Sequence, residues 1–213
     1  IYINIRIIMK HIHSKRKRNS DDDEVIESDM DKVEKYVVKI KNHIYYYAEV
    51  TRESVLMLIT QIKKATNEII KKSEKYNIKD CEKKLFLHIC SDGGSVYDGL
   101  AAMDTIRSNS IPITTIIEGS VCSAASFIAL GGTEIQMRPS AYVLIHQITS
   151  SFWGKYEEFN DEKETLDKLM KMLRNMYTKN THIPQKVLSN MFKKDIYINS
   201  DECMKWGFAN KII

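Results

Sequence analysis

Three short segments carry the residue types that an acyl-transfer site needs. In chain order they are Ser91-Asp92-Gly93-Gly94-Ser95-Val96, then Gly119 to Ser126, then Leu144-Ile145-His146-Gln147. A serine hydroxyl is a poor nucleophile at neutral pH. It needs a base within hydrogen-bond reach and donors aimed at the oxyanion that develops. Ser123 opens the small-residue run Ser123-Ala124-Ala125-Ser126, where the free N–H groups of a helix start would lie beside its hydroxyl. Gly93-Gly94 stands between a strand-like and a helix-like run, and glycine allows backbone angles that turn N–H groups toward a ligand. His146 leaves the apolar run Tyr142-Val143-Leu144-Ile145 and is the candidate base. Each feature has an ordinary explanation of its own: a helix cap, a tight turn, a satisfied core histidine. Their combination and order point to nucleophilic catalysis.

A third group must orient the imidazole and stabilise its charged form. Asp195, just before Ile196-Tyr197-Ile198, is the first candidate, with Asp92 and Asp104 as rivals. The remaining histidines, His11, His13, His43, His88 and His182, lie in the tail, within strands or beside a helix start. Cys122 precedes Ser123, but a buried cysteine is mostly a small inert hydrophobe. The glycine pair has no third glycine and no lysine at the spacing of nucleotide-binding loops, so neither a nucleotide nor any other cofactor is expected. Cys81, Cys90, Cys122 and Cys203 show no paired spacing, which argues against a disulfide framework and a metal site.

These residues need a scaffold of alternating strands and helices. The pattern predicts strands over Val37–Tyr47, Leu85–Cys90, Ile113–Ile117, Ile135–Met137, Tyr142–Ile145 and Ile196–Ile198. It predicts helices over Ser54–Ile70, Ser95–Ser108, Ser123–Leu130, Tyr156–Lys179 and from Pro184 to Lys193, with a last one capped by Ser200 and ended by Gly207. Lys71 to Lys84 reads as a polar connector. The expected class is α/β with crossover units.

The 213 residues suffice for one domain with a full core, and 43% hydrophobic with 28% charged residues is a soluble balance. No apolar run is long enough to span a membrane. Net charge is +4, yet Lys15-Arg16-Lys17-Arg18 is followed by an acidic stretch from Asp21 to Asp31. Opposite blocks of this kind predict a solvated tail over residues 1–35 and a domain over 36–213, with no nucleic-acid or membrane partner.

From about Ile44 to Ile213 the three segments, and the stretch from Asp195 through Ser200-Asp201-Glu202-Cys203 to Trp206-Gly207-Phe208, resemble the proteolytic subunit of the Clp protease. Departures from the family's pattern at Asp92, Ala124, Ala125 and Ile148 suit a divergent member of viral or phage-like type. The resemblance implies a crotonase-like fold of repeated ββα units with a projecting handle helix. It also implies a cytoplasmic, ATP-dependent serine endopeptidase that acts on unfolded proteins or peptides. By position Ser123 matches the nucleophile, His146 the base and Asp195 the third triad member. Gly94 and Ala124 match the residues whose N–H groups form the oxyanion hole. The implied partners are further copies of the chain, forming two stacked rings, and an AAA+ unfoldase. The helix with Leu166, Leu169, Met170, Leu173 and Tyr177 on one face is the part implied to pack against the opposite ring. Asp92 stands where the family usually has proline, Ala124 and Ala125 where it has methionine and glycine, and Ile148 where proline follows His-Gln. A small residue at 124 implies a wider pocket beside the nucleophile. Two other readings compete: a non-catalytic ring subunit, and a crotonase-type acyl-thioester enzyme.

Overall fold

The segment expected as one strand from Val37 to Tyr47 is a hairpin in the computed structural model, which describes residues 36–79 and 83–213. The charged tail expected over residues 1–35 lies outside the described residues, as does Cys81. β1 (Val37–Ile40) and β2 (His43–Tyr46) pair antiparallel, and Lys41 takes the left-handed conformation, φ 57°, that reverses the chain between them. α1 (Arg52–Tyr76) starts at Thr51, whose hydroxyl accepts from Ser54 N at 3.2 Å while Ser54 Oγ accepts from Thr51 N at 3.0 Å. This reciprocal cap satisfies two of the free donors of the first turn. The helix runs six residues beyond the expected Ile70 because Lys71–Tyr76 are good helix formers, and Asn77 at φ 52° ends it.

β3 (Leu85–Ser91), α2 (Val96–Arg107), β4 (Ile113–Cys122) and α3 (Ala125–Leu130) follow. Next come β5 (Glu134–Met137), β6 (Tyr142–Ile145), α4 (Tyr156–Asn180), α5 (Gln185–Met191), β7 (Ile196–Asn199), α6 (Ser200–Lys205) and β8 (Lys211–Ile212). The cap of α6 is Asn199 rather than Ser200. The sheet order is β1-β2-β3-β4-β5-β8, and β6 pairs with the far end of β4 and carries β7 on its outer side. β2 through β5, β6 on β4 and β8 on β5 are parallel, and β7 is antiparallel to β6.

One face of the sheet buries Ile44, Leu85, Leu87, Ile89, Ile113 and Ile117 against Leu58 and Ile62 of α1, Ala102 and Ile106 of α2, and Ile128 of α3. Each large aliphatic side chain so buried contributes about 1.5–3 kcal/mol. The opposite face carries His43, Tyr45, Phe86, His88 and Glu118, which the alternation along each strand places together.

α4 departs from the expected apolar stripe. Leu173, Met176 and Tyr177 are buried in the chain's own core, while Leu166, Leu169 and Met170 are half-buried. Residues 151–161, which include the first turns of α4, are exposed throughout, so the N-terminal half of the helix projects from the body.

Candidate active site

β4 explains how the site is assembled. The sequence suggests a strand ending at Ile117, but the strand continues to Cys122 and changes partner on the way. Thr114–Ile117 pair with β5, and Ser120–Cys122 pair with β6. This brings Ser123, the next residue, to the end of β6. Ser123 N donates to Leu144 O at 2.8 Å, two residues before His146. β6 in turn pairs Ile145 with Ile196 of β7, so the next opposed positions along the two strands are His146 and Asp195. Register alone therefore sets Ser123, His146 and Asp195 on three neighbouring chain segments. Among the described residues no hydrogen bond joins their side chains.

Ser123 has φ 53°, a left-handed conformation that L-residues adopt at a cost of roughly 1–2 kcal/mol. The turn is held from below. Ser126 Oγ donates to Ser123 O at 2.6 Å, and the same hydroxyl pairs with the buried Tyr177 Oη of α4 at 2.6 Å. Nothing in the sequence singles out Tyr177 for this task, since its place in an apolar stripe reads as plain packing.

The Gly93-Gly94 turn lies against the Ser123 turn. A Cβ on Gly93, at φ 95°, would fall 2.6 Å from Cys122 O and 2.7 Å from Ser123 Cβ. Val50 fixes the other side: Val50 N donates to Gly93 O at 2.7 Å and Ser95 N to Val50 O at 2.7 Å. Successive residues of extended backbone bond to opposite sides. The Gly94 N–H is thus turned away from Val50, and among the described residues no hydrogen bond engages it or the N–H of Ala124. A cavity of about 480 Å³ lined by Tyr47, Glu49, Asp92, Gly93 and Gly94 opens beside this turn.

The rival carboxylates separate by place. Asp104 sits on the exposed face of α2. Asp92 is exposed at the glycine turn, and its charge reaches the Cys122 thiol and the Tyr197 hydroxyl. Asp195 is the one in register with His146. Burial, and then the Asp92 charge, pushes the Cys122 thiol up to about 11, so it is no thiolate nucleophile at neutral pH. Ala124 is wholly buried, 0% exposed, and a Cβ on Gly99 of α2 would lie 3.2 Å from its methyl group. The Ala124 methyl thus packs toward α2 and lines no open surface among the described residues, which does not support the wider pocket expected from a small residue at 124. His88 and His43 belong to a separate network on the outer sheet face, and the ring of His182 lies against Gly207. His11 and His13 lie outside the described residues. Among the described residues no cluster of His, Cys, Asp and Glu is arranged to hold a metal, and no helix is long and apolar enough to cross a membrane.

Known proteins share this arrangement of elements. The sequence model of the family described as Clp protease matches residues 38–213. An ATP-dependent Clp protease proteolytic subunit from Nicotiana tabacum is 34% identical over 171 residues, covering 78% of this chain and 87% of its own. A protein of the same name from Sorghum bicolor is 33% identical over 168 residues, with 77% and 78% covered. Another from Deinococcus radiodurans is 25% identical over 170 residues, with 78% and 83% covered. A solved structure of a ClpP1 point mutant from Listeria monocytogenes superposes with a TM-score of 0.64 at 20% identity, covering 78% of this chain and 88% of that one. The fold is thus the crotonase-like α/β fold expected from the sequence. With one family model spanning nearly all the described residues, and relatives at a third identity over most of their length, the chain belongs to the Clp protease family.

Proposed function

We propose that this protein is a serine endopeptidase that cleaves unfolded proteins or peptides through Ser123, His146 and Asp195, within a particle of stacked rings served by an AAA+ unfoldase. The observation that supports the reading is the register of β4, β6 and β7, which puts these three residues on neighbouring chain segments close to the Gly93-Gly94 turn. His146 takes the Ser123 Oγ proton as Oγ attacks the scissile carbonyl. The N–H groups of Gly94 and Ala124 receive the oxyanion, a contribution of about 3–4 kcal/mol for one good donor. His146 then protonates the departing amine, and water, activated by the same imidazole, releases the acyl group. Asp195 holds the ring and stabilises its charged form. The substrate lies extended between the segment after Gly94, whose other edge Val50 occupies, and the segment after His146. Backbone pairing of this kind accepts many sequences.

The separated side chains favour one alternative, a non-catalytic ring subunit. In the peptidase reading, ring contacts at β7 and α4 bring the three groups into reach. A fluorophosphonate probe distinguishes the two. Stoichiometric labelling of Ser123 in assembled protein is expected, with Asp195→Asn lowering peptide turnover by about 10⁴-fold without unfolding. Assembled protein that resists the probe is a ring subunit without chemistry.

Gly94 gives a second test. It has φ 144°, and a Cβ there would sit 2.3 Å from Val50 O. Gly94→Ala is expected to displace the turn, lowering peptide turnover at least tenfold and the melting temperature by several degrees, from strain of about 1–3 kcal/mol. Turnover equal to that of the unmutated protein removes the Gly94 N–H from the oxyanion hole.

A further inference from the structure

The outer face of the sheet carries a polar network that the chemistry above leaves unused. Glu118 of β4 is its hub. The Tyr47 hydroxyl donates to the Glu118 carboxylate, His88 Nδ1 lies 3.0 Å from it, and Arg138 Nε and Nη2 each approach it at 3.1 Å. His88 is 5% exposed, and its Nε2 lies 2.9 Å from His43 Nδ1. Four parts of the chain, the residue after β2, β3, β4 and the residue after β5, thus meet at one carboxylate.

The position of Glu118 gives this hub its meaning. β3 and β4 pair Ile89 with Ile117 and then Ser91 with Val121, so β4 spends two more residues than β3 over this stretch. The extra residues fall at Glu118-Gly119-Ser120, where Gly119 takes φ 58° and a Cβ would sit 3.0 Å from Cys90 Sγ. This irregularity is also where β4 leaves β5 for β6. Residues in such a bulge lack regular ladder bonds, and bulges re-aim the strand that follows. The strand that follows ends at Ser123.

We propose that Glu118 is a positioning residue for the Ser123 turn: gripped by Tyr47, His88 and Arg138, its carboxylate fixes the bulge that aims the end of β4, and the His43–His88 pair makes that grip sensitive to acid. The inference rests on Ser123 being the nucleophile.

The tautomers follow from the partners. Glu118 accepts, so His88 Nδ1 carries a proton and its Nε2 accepts from the Nδ1–H of His43. A proton added to His43 is disfavoured by its burial, and protonating both rings sets two N–H groups against each other at 2.9 Å, so that the rings must part. The other groups around the pair hold it in place. Tyr45 stacks on His88 at 4.3 Å and Phe86 on His43 at 4.8 Å, while Tyr47 and Arg138 face Glu118 and Cys90 is next along β3. Burial, and then the charge of His88, lowers the pKa of His43. Burial alone would raise that of Glu118, but hydrogen bonds from Tyr47 and His88, the His88 charge and Arg138 outweigh it and hold the carboxyl below its usual range. Because the pKa of His43 is depressed, the unfolded chain binds more protons than the folded one just below pH 6.5. The stabilising contribution is therefore present above that pH and is lost as pH falls through the folded value.

The test compares Glu118→Gln, Glu118→Asp and His43→Asn in the assembled protein. It uses peptide kinetics at pH 8 and hydrogen exchange of the Ser120–Ala124 amides across pH 5–8, corrected for intrinsic exchange. Glu118→Gln is expected to lower kcat by about tenfold to a hundredfold, the scale of a misplaced reacting group, with KM within about twofold. Ser120–Ala124 should lose protection while α1 keeps it, and Glu118→Asp should recover part of both. His43→Asn should keep the neutral-pH protection and remove its loss on acidification. Should Glu118→Gln not fold, Tyr47→Phe removes one donor from the exposed side and is expected to lower kcat several-fold with the same local loss of protection. Unchanged kcat and unchanged protection in the folded Glu118 or Tyr47 variant overturn the proposal. Wild-type protein that neither hydrolyses peptide nor takes the probe defeats the peptidase reading instead. The exchange arm still decides whether Glu118 holds the turn.

Discussion

Ser123→Ala is expected to remove peptide hydrolysis by on the order of 10⁶-fold, the scale seen when one member of a serine-protease triad is deleted. Fold and assembly should be untouched. Alanine shares the left-handed strain that serine bears at φ 53°, and Ser123 Oγ holds no structural hydrogen bond among the described residues. The turn is fastened instead through Ser123 N, which donates to Leu144 O, and Ser123 O, which accepts from Ser126. Ser123→Gly sharpens the test. It relieves about 1–2 kcal/mol of strain against about 0.5–1 kcal/mol of added chain entropy. The glycine variant should thus be as inactive as the alanine variant while melting no lower than the unmutated protein. A strained serine where glycine is at least as stable fits selection for chemistry rather than for stability. Residual turnover near the original rate in Ser123→Ala would require another nucleophile. The nearest, the Cys122 thiol, is held neutral by burial and by Asp92.

The Ser123 turn, the glycine turn and the position of His146 were legible in the sequence because each closes a strand, and strand ends leave strong local marks: a glycine pair, a small-residue run, a histidine after four apolar positions. What joins them was not legible. The change of partner along β4 depends on pairing between segments about twenty residues apart, and Glu118-Gly119-Ser120 looks locally like a strand terminus. A glycine inside a strand pattern is a bulge signal, and Gly119 was the available clue. The hairpin reversal at Lys41 carried no glycine or proline to betray it. Asp195 was the first candidate in the sequence, but what puts it opposite His146 is the antiparallel register of β6 and β7, which no local pattern encodes. Glu118 is the hardest case. Its partners Tyr47, His88 and Arg138 come from three other segments, and each residue alone reads as a surface polar group or a satisfied core histidine.

Assembly provides the second large effect, and the structure shifts where to look for it. Leu173→Asp would not probe an interface, because Leu173 is 2% exposed within the chain's own core and the substitution would unfold the domain. The exposed apolar surface among the described residues lies 14 to 21 residues earlier in the chain, around the start of α4. Trp153 is 99% exposed, Tyr156 76% and Phe159 56%, and Phe152 packs against Phe159 with ring centroids 6.5 Å apart. Exposed aromatic clusters of this kind mark association sites on soluble proteins. The charges on α4 are also sorted. Glu157, Glu158, Asp161, Glu162, Glu164 and Asp167, against Lys163 alone, lie in its N-terminal half, and Lys168, Lys171, Arg174 and Lys179 in its C-terminal half. The helix dipole favours acids in the first turn and bases in the last but does not reach the middle turns. Two antiparallel copies of α4 would set acidic half against basic half twice over, as a two-fold interface requires. Aromatic side chains at about 1.5–3 kcal/mol each would add the binding energy. Repeated around a ring, that energy multiplies with each subunit, so a modest loss per chain separates whole rings. The double variant Trp153→Asp with Phe159→Asp is therefore expected to keep its fold, fall to single rings or smaller species in light scattering, and lose most peptidase activity. A variant of unchanged particle mass would move the interface elsewhere, and an unmutated protein that is a fully active monomer would remove the need for one.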